Sequence, residues 1–425
     1  MGRVMSVLLA PALSLTARAG VLTLVAGAAV ALPAPSEERA EPPAAAPAAG
    51  APAAAAIGAP AVATGERRTT PGRTTVVPVP ARGLRSTARG MRSARLPAPD
   101  HAMVAAMWSG EYPHPEVRTR ARAGGWGPWV ELPELVDGAS DLAWMGDADG
   151  VQVRTEASRP RDLELVLIDP GELPTDQPAV ARRAASTDTT ATAAASTGTA
   201  ATATAATEPA AATVPTLALA SASAPAHAPM PKLHHRWEWG ADNSLRNGKP
   251  VYLDMLKQVH LHHTATGNGY SRSDVPRIIR GMYRYHTQTL GWFDIGYNFL
   301  VDRFGRAWVG RSGGPHNLVR GAHTLGFNHV SVGISVIGTN RARKKAVTKV
   351  VRVAAWKFDS HGRDAKRLVR VRSHGSDKFP EGKKVQLPAI DGHRDTNHTA
   401  CPGDRLYRSL GEIRHRAQRR IDAFG

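Results

Sequence analysis

Along residues 258–264 the side chains alternate in character. An extended strand there carries His260, His262 and Thr264 on one face and Leu261 and His263 on the other. Ser273 or Asp274 then caps a helix that has Pro276 in its first turn, and Val275, Ile278, Ile279 and Met282 recur at spacings that gather them on one side. Strand patterns follow at 297–302 and 307–309, joined by a turn at Phe304-Gly305, and a third at 330–337 has the Val, Ile and Ser alternation of a partly buried element. Residues 345–358 and 406–421 read as two further helices. The pattern predicts an α/β domain over 232–425, a mixed β-sheet flanked by helices. Upstream, strand-like runs at 114–123, 129–132, 151–154 and 163–168 are separated by turns such as Gly124-Gly125-Trp126-Gly127-Pro128. They predict a small all-β module over 96–170. Within it Trp126 and Trp129 are expected in the core, with stacking on sugar rings as the competing role.

The other segments lack such patterns. Residues 32–95 are rich in Ala and Pro, as in Pro43-Ala44-Ala45-Ala46-Pro47, and cannot bury enough apolar surface to offset ordering, so they are expected to be disordered. Residues 171–231 are rich in Ala, Thr and Ser and read as a linker, which as a flexible coil would reach roughly 40 Å. Residues 1–31 read as an export signal: Arg3 and Arg18 precede an apolar run with small Ala29 and Ala31 near its end, and the run stops at Pro33, short of the roughly 20 apolar residues a membrane span needs. No stable membrane insertion is expected after cleavage, and the chain is expected to be secreted or held in the cell wall. The net charge of +18 calls for polyanionic surroundings. Nucleic acid is set aside, because export and the lack of a base-reading motif argue against it. Anionic wall polymers fit, through an attraction that added salt would screen.

The chain has one cysteine, so it can form no internal disulfide. Cys401 lies a short loop after His393, in Gly392-His393-Arg394-Asp395 and Ala400-Cys401-Pro402-Gly403, and the histidine-bearing strand could meet both. Two imidazoles and a thiolate make a zinc site whose fourth position is left to water. His260, His262 and His263 are the candidates on the strand.

Leu261-His262-His263-Thr264-Ala265-Thr266, Gly291-Trp292-Phe293-Asp294-Ile295-Gly296-Tyr297-Asn298-Phe299, Gly321-Ala322-His323-Thr324, and Gly392-His393-Arg394-Asp395 with Cys401-Pro402-Gly403 occur in this order. Together with the opening Arg236-Trp237-Glu238-Trp239-Gly240-Ala241-Asp242 they resemble the superfamily of peptidoglycan recognition proteins and type-2 N-acetylmuramoyl-L-alanine amidases over about 232–420. The module over 96–170 resembles domains that accompany such amidases in secreted actinobacterial proteins. The resemblance implies the zinc amidase fold, a zinc ion held by His262, His393 and Cys401, and a catalytic Tyr297. His260 and His263 then become exposed or supporting histidines.

At Thr399, where phage members carry a catalytic lysine, this chain has the threonine usual in the recognition branch. It can give only a neutral hydrogen bond, so more of the oxyanion stabilisation falls to the zinc and Tyr297. His323 and Trp292 are implied at the substrate groove. Arg311 would hold a peptide or lactyl carboxylate through its planar fork or serve as an ordinary surface charge, and His286 is expected to be structural. The implied activity is hydrolysis of the amide between the lactyl group of N-acetylmuramic acid and L-alanine in peptidoglycan, by a monomer. A non-catalytic peptidoglycan receptor is the alternative; that branch is usually marked by loss of the Cys ligand, and Cys401 is present.

Overall fold

The computed structural model describes residues 69–98, 100–156, 160–176, 227–339 and 343–424. The export segment, most of the Ala/Pro-rich segment and the body of the linker lie outside these residues.

The N-terminal domain is a sandwich of two antiparallel sheets. Its strands are β1 (Arg73–Pro78), β2 (Leu84–Thr87), β3 (Gly90–Ser93), β4 (Leu96–Pro97), β5 (Met103–Ser109), β6 (Glu116–Ala121), β7 (Val130–Glu131), β8 (Glu134–Val136), β9 (Ala139–Ser140), β10 (Ala143–Trp144), β11 (Ala148–Thr155) and β12 (Arg161–Asp169). One sheet runs β1-β12-β5-β9-β8 with β10 on β5; the other runs β2-β3-β11-β6-β7 with β4 on β11. The all-β expectation agrees, but its start does not: strands begin at Arg73, so 73–95 is ordered structure rather than part of a disordered segment. Val76, Val77 and Leu84 supply its sparse apolar positions, and β1 gains its order by pairing with the distant β12.

Strands β5 and β12 explain how this domain meets the next. Val104, Ala106, Leu165 and Leu167 face the sandwich core, while Met103, Ala105, Val166 and Ile168 face the C-terminal domain. With both faces covered, β5 is apolar from Met103 to Trp108 and shows no alternation, which is why its pattern escapes a period-two reading. Trp126 and Trp129 are not core residues. They lie half-buried on the second sheet, with the Arg118 guanidinium 4.7 and 4.8 Å from their ring centres and that of Arg154 4.5 Å from Trp129.

The C-terminal domain has a six-stranded mixed sheet in the order β13 (Leu233–His234), β16 (Ala307–Val309), β15 (Phe299–Val301), β17 (Ser331–Val336), β14 (Gln258–His263) and β20 (Ile390–Gly392). Only β15 and β16 pair antiparallel. A hairpin, β18 (Leu368–Arg372) with β19 (Lys384–Pro388), was not evident in the sequence. Five helices follow in chain order: α1 (Asp274–Arg284), α2 (Lys344–Asp359), α3 (His393–Thr396), α4 (Asp404–Arg408) and α5 (Leu410–Asp422). The helix expected over 406–421 is thus two helices broken at Ser409. Helices α2 and α5 cover one face of the sheet, packing Val350, Ala354 and Ile413 on Val259, Leu261 and Ile334. Helix α1 covers the other face; the Ser271 hydroxyl, rather than Ser273, accepts from the Asp274 amide at its start.

The apolar side of α1 also receives the β-domain. Val275, Ile278, Ile279 and Met282 share one cluster with Met103, Ala105, Val166 and Ile168. Gly281 sits where a Cβ would overlap the Met103 sulfur, so a residue that costs about 1 kcal/mol in a helix is the one that lets the strand approach. Arg280 clasps the joint: its buried guanidinium donates to the carbonyls of Pro170, Gly171 and Trp239 and pairs with Asp176. The two domains therefore form one body.

Candidate metal centre and its cleft

Register brings the site together. Strands β14 and β20 are adjacent and parallel with Leu261 opposite Gly392, so the next residues, His262 and His393, emerge side by side at the carboxyl ends of the strands. Their ring centres lie 4.7 Å apart. The Gly392-His393-Arg394-Asp395 motif then fixes the third residue. Arg394 donates from its amide to the Cys401 carbonyl at 3.0 Å, its side chain bonds the Ala400 carbonyl and Asp404, and Asp395 accepts from the Gly392 amide and the Tyr407 hydroxyl. Cys401 is thereby turned back onto His262, with Sγ 3.7 Å from Nδ1, and its sulfur accepts from the His263 amide at 3.4 Å.

The ligand atoms of His262, His393 and Cys401 all lie within 4.8 Å of one another. Burial, then the neighbouring histidines, holds His262 well below the usual imidazole range, and the same causes bring His393 down to about 3, so both rings are neutral and free to ligate. Burial pushes the Cys401 thiol up, which means that a thiolate here calls for a cation beside it. Two neutral imidazoles and one thiol in an enclosed cluster fit zinc with an open coordination position. Nδ1 of His262 faces Cys401, and its Nε2 shares a hydrogen bond of 3.1 Å with His323 Nδ1, the kind of contact that fixes the orientation of an imidazole. His323, expected at the substrate groove, therefore also holds the His262 ring. His260 is turned to the buried Asp391 at 2.5 Å, which Gln258 also holds, and takes no part in the cluster.

A cavity of about 500 Å³ opens over this cluster. Trp292, Tyr297, His323, His393 and Thr399 line it from the C-terminal domain, and Glu134, Leu135, Val136 and Asp137 line it from the β-domain. The Tyr297 ring centre is 5.3 Å from that of His262. Burial first, then the Asp141 carboxylate and the Cys401 sulfur, raise the Tyr297 hydroxyl well above its usual range, so it stays protonated. Thr399 accepts from the Cys401 amide at 3.2 Å.

Arg311 does not line the cavity. Its buried guanidinium donates to the carbonyls of Asp294 and Ile295 and lies over Phe293, bracing the backbone that leads to Tyr297. His286 is structural as expected, accepting from the Gly296 amide and packing on Trp292. The opening motif is structural too: Arg236 pairs with the buried Asp294, and the Trp239 indole donates to Val309. Sequence reasoning gave no hint of Glu134 or Asp137, since nothing local in a β-module marks a residue that will face another domain.

The family model described as N-acetylmuramoyl-L-alanine amidase matches residues 252–404, which hold the whole cluster. The C-terminal domain belongs to the superfamily of peptidoglycan recognition proteins and N-acetylmuramoyl-L-alanine amidases. Among its relatives, the human N-acetylmuramoyl-L-alanine amidase is 34% identical over 183 residues, 42% of this chain and 27% of that protein. Peptidoglycan-recognition protein SC2 of Drosophila melanogaster is 26% identical over 173 residues, 41% of this chain and 81% of the fly protein. The solved structure of Drosophila PGRP-LB is 26% identical with a TM-score of 0.33, covering 42% of this chain and 92% of that one.

Proposed function

We propose that this protein is a secreted zinc-dependent N-acetylmuramoyl-L-alanine amidase that cleaves the lactyl amide between N-acetylmuramic acid and L-alanine in peptidoglycan. The observation that carries this reading is the complete His262, His393 and Cys401 cluster, whose His393 lines a cleft that Tyr297 also lines. The intact thiol favours hydrolysis over recognition alone. Bound there, zinc would make hydroxide available near neutral pH and polarise the scissile carbonyl.

The chain's own groups do the rest. Tyr297, still protonated at neutral pH, donates a hydrogen bond to the oxygen on which negative charge develops. Thr399 holds the Cys401 amide and offers no charge of its own. His323 keeps the His262 ring in one orientation, and Trp292 supplies an apolar wall for the sugar or lactyl group. On the outer face of the second β-sheet, Arg85, Arg92 and Arg154 stand in register across three strands, which supports contact with anionic wall polymers screened by salt. Among the described residues no helix is long and apolar enough to cross a membrane.

Incubating the full chain with intact peptidoglycan tests the reading: stem peptides with a free alanine amino terminus should be released, a chelator should stop the release, and added zinc should restore it. Release that a chelator leaves untouched, or glycan cleavage in its place, would contradict it.

A further inference from the structure

Three arginines stand directly opposite one another across the second sheet of the β-domain. Arg85 of β2 faces Arg92 of β3, and Arg92 faces Arg154 of β11. Their chain neighbours Leu84, Met91 and Val153 belong to the sandwich core, so by alternation all three guanidiniums stand on the outer face. Like charges placed directly opposite across strands destabilise a sheet. Among the described residues Arg154 pairs with Glu116, whereas Arg85 and Arg92 are exposed and have no ion-pair partner. With strands about 4.8 Å apart, the row runs about 10 Å across the sheet.

A second feature lies beside the row. Gln152, two residues before Arg154 on β11, stands opposite Arg118 of β6, and its Oε1 accepts from Nε and Nη2 of that arginine at 2.8 and 2.6 Å. The same guanidinium lies 4.7 and 4.8 Å from the ring centres of Trp126 and Trp129, and that of Arg154 lies 4.5 Å from Trp129. The two tryptophans thus hold two guanidiniums in place before any ligand arrives, which lowers the ordering cost of binding. The first lysine of the chain is Lys232, so apart from histidine every side-chain cation of the β-domain is a guanidinium. The planar fork of a guanidinium suits phosphate, and the tetrahedral oxygens of one phosphodiester can be reached from two neighbouring strands at once.

We propose that the outer face of this sheet binds a linear polymer of phosphodiester-linked sugar or polyol units, held by the row of Arg85, Arg92 and Arg154 and by the Arg118 fork that Trp126 and Trp129 fix. A row of like charges suits a ligand that repeats its own charge along its length. The inference deepens the wall-polymer contact in the reading above, and its test needs no hydrolysis: a chain that binds the polymer and cleaves nothing would lose the amidase reading and keep this surface.

Binding of the full chain to immobilised poly(glycerol phosphate) would be measured at rising salt, beside binding to polygalacturonate, a carboxylate polymer, with the thermal midpoint of each variant recorded. Arg85→Gln combined with Arg92→Gln should weaken binding to the phosphodiester polymer about 10-fold, the scale of two exposed charge contacts, and make its salt dependence shallower. The midpoint of that variant should hold or rise, since opposed like charges have been removed. Trp126→Leu, which changes no charge, should weaken binding about 3-fold by loosening the Arg118 fork. Arg370→Gln combined with Arg372→Gln, at two exposed arginines of β18, should bind as the wild type does. An equal loss in that control pair would overturn the proposal, because net charge alone would then hold the polymer, and so would polygalacturonate bound as tightly as the phosphodiester polymer. Binding unchanged in the Arg85 and Arg92 variant, or in Trp126→Leu, would overturn it too.

Discussion

The cleft has two walls of opposite make. On the C-terminal side His262, His323 and His393 are neutral rings crowded round one thiol, brought together by the register of parallel strands and by the short loop that follows His393. On the β-domain side the lining is Glu134, Leu135, Val136 and Asp137, brought there only by the docking of one domain on another. The first wall can hold a cation because its rings carry no charge. The second adds the carboxyl groups of Glu134 and Asp137 to that of Asp377, which lines the cavity from the C-terminal side. A site divided this way depends on the joint between domains as much as on its motifs.

Breaking the joint should have the largest effect. Arg280→Ala removes the guanidinium that pairs with the buried Asp176 and bonds three carbonyls, and loss of one partner of such a pair costs about 3–5 kcal/mol. Denaturant unfolding of the full chain should show a loss of that size. A change below about 1 kcal/mol, on the scale of an exposed pair, would mean that the two walls hold together without the clasp.

The C-terminal wall can be probed alone with Tyr297→Phe, which keeps the ring and removes the hydroxyl. Turnover should fall by about 100-fold while zinc and muropeptide affinity stay near wild type, as for loss of one transition-state hydrogen bond. Unchanged turnover would make Tyr297 a packing residue.

Acid should act on the same wall through its buried rings. Burial, with Arg311 nearby, brings His286 down from 6.5 to about 3, so the unfolded chain binds a proton that the folded chain refuses over that window. The stability contributed is therefore whole above about pH 6.5 and is lost as pH falls toward 3. By pH 5 this one group should remove about 2 kcal/mol. Melts of the metal-free chain at pH 7.5 and pH 5 would check the sign; equal or higher stability at pH 5 would contradict the buried neutral ring.

How much of this was legible in the sequence differs between the same two walls. His262, His393, Cys401 and Tyr297 lie in local motifs, and the periods around them place four of the six strands of the sheet within a residue or two, whereas the short β13 and β20 carry too few residues to show a period. The β-domain wall was not legible. Strand β5 hides its period because both of its faces are covered, β1 finds order only in a partner far along the chain, and Glu134 and Asp137 lie where the sequence says nothing about the domain they face. Arg311 failed for a related reason: a guanidinium beside a site can serve substrate or backbone, and only the carbonyls it reaches decide. The half-buried Trp126 and Trp129 reversed the core expectation because Arg118 and Arg154 cover their rings.

The most direct test of the account is to titrate the metal-free full chain with cobalt(II), which takes zinc's place and reports its ligands by absorption. One equivalent should bind with a thiolate-to-metal charge-transfer band, and the band should vanish in Cys401→Ser while that variant keeps its fold. A wild-type chain that takes up cobalt without the band, or a Cys401→Ser chain that keeps it, would contradict a centre built from His262, His393 and Cys401.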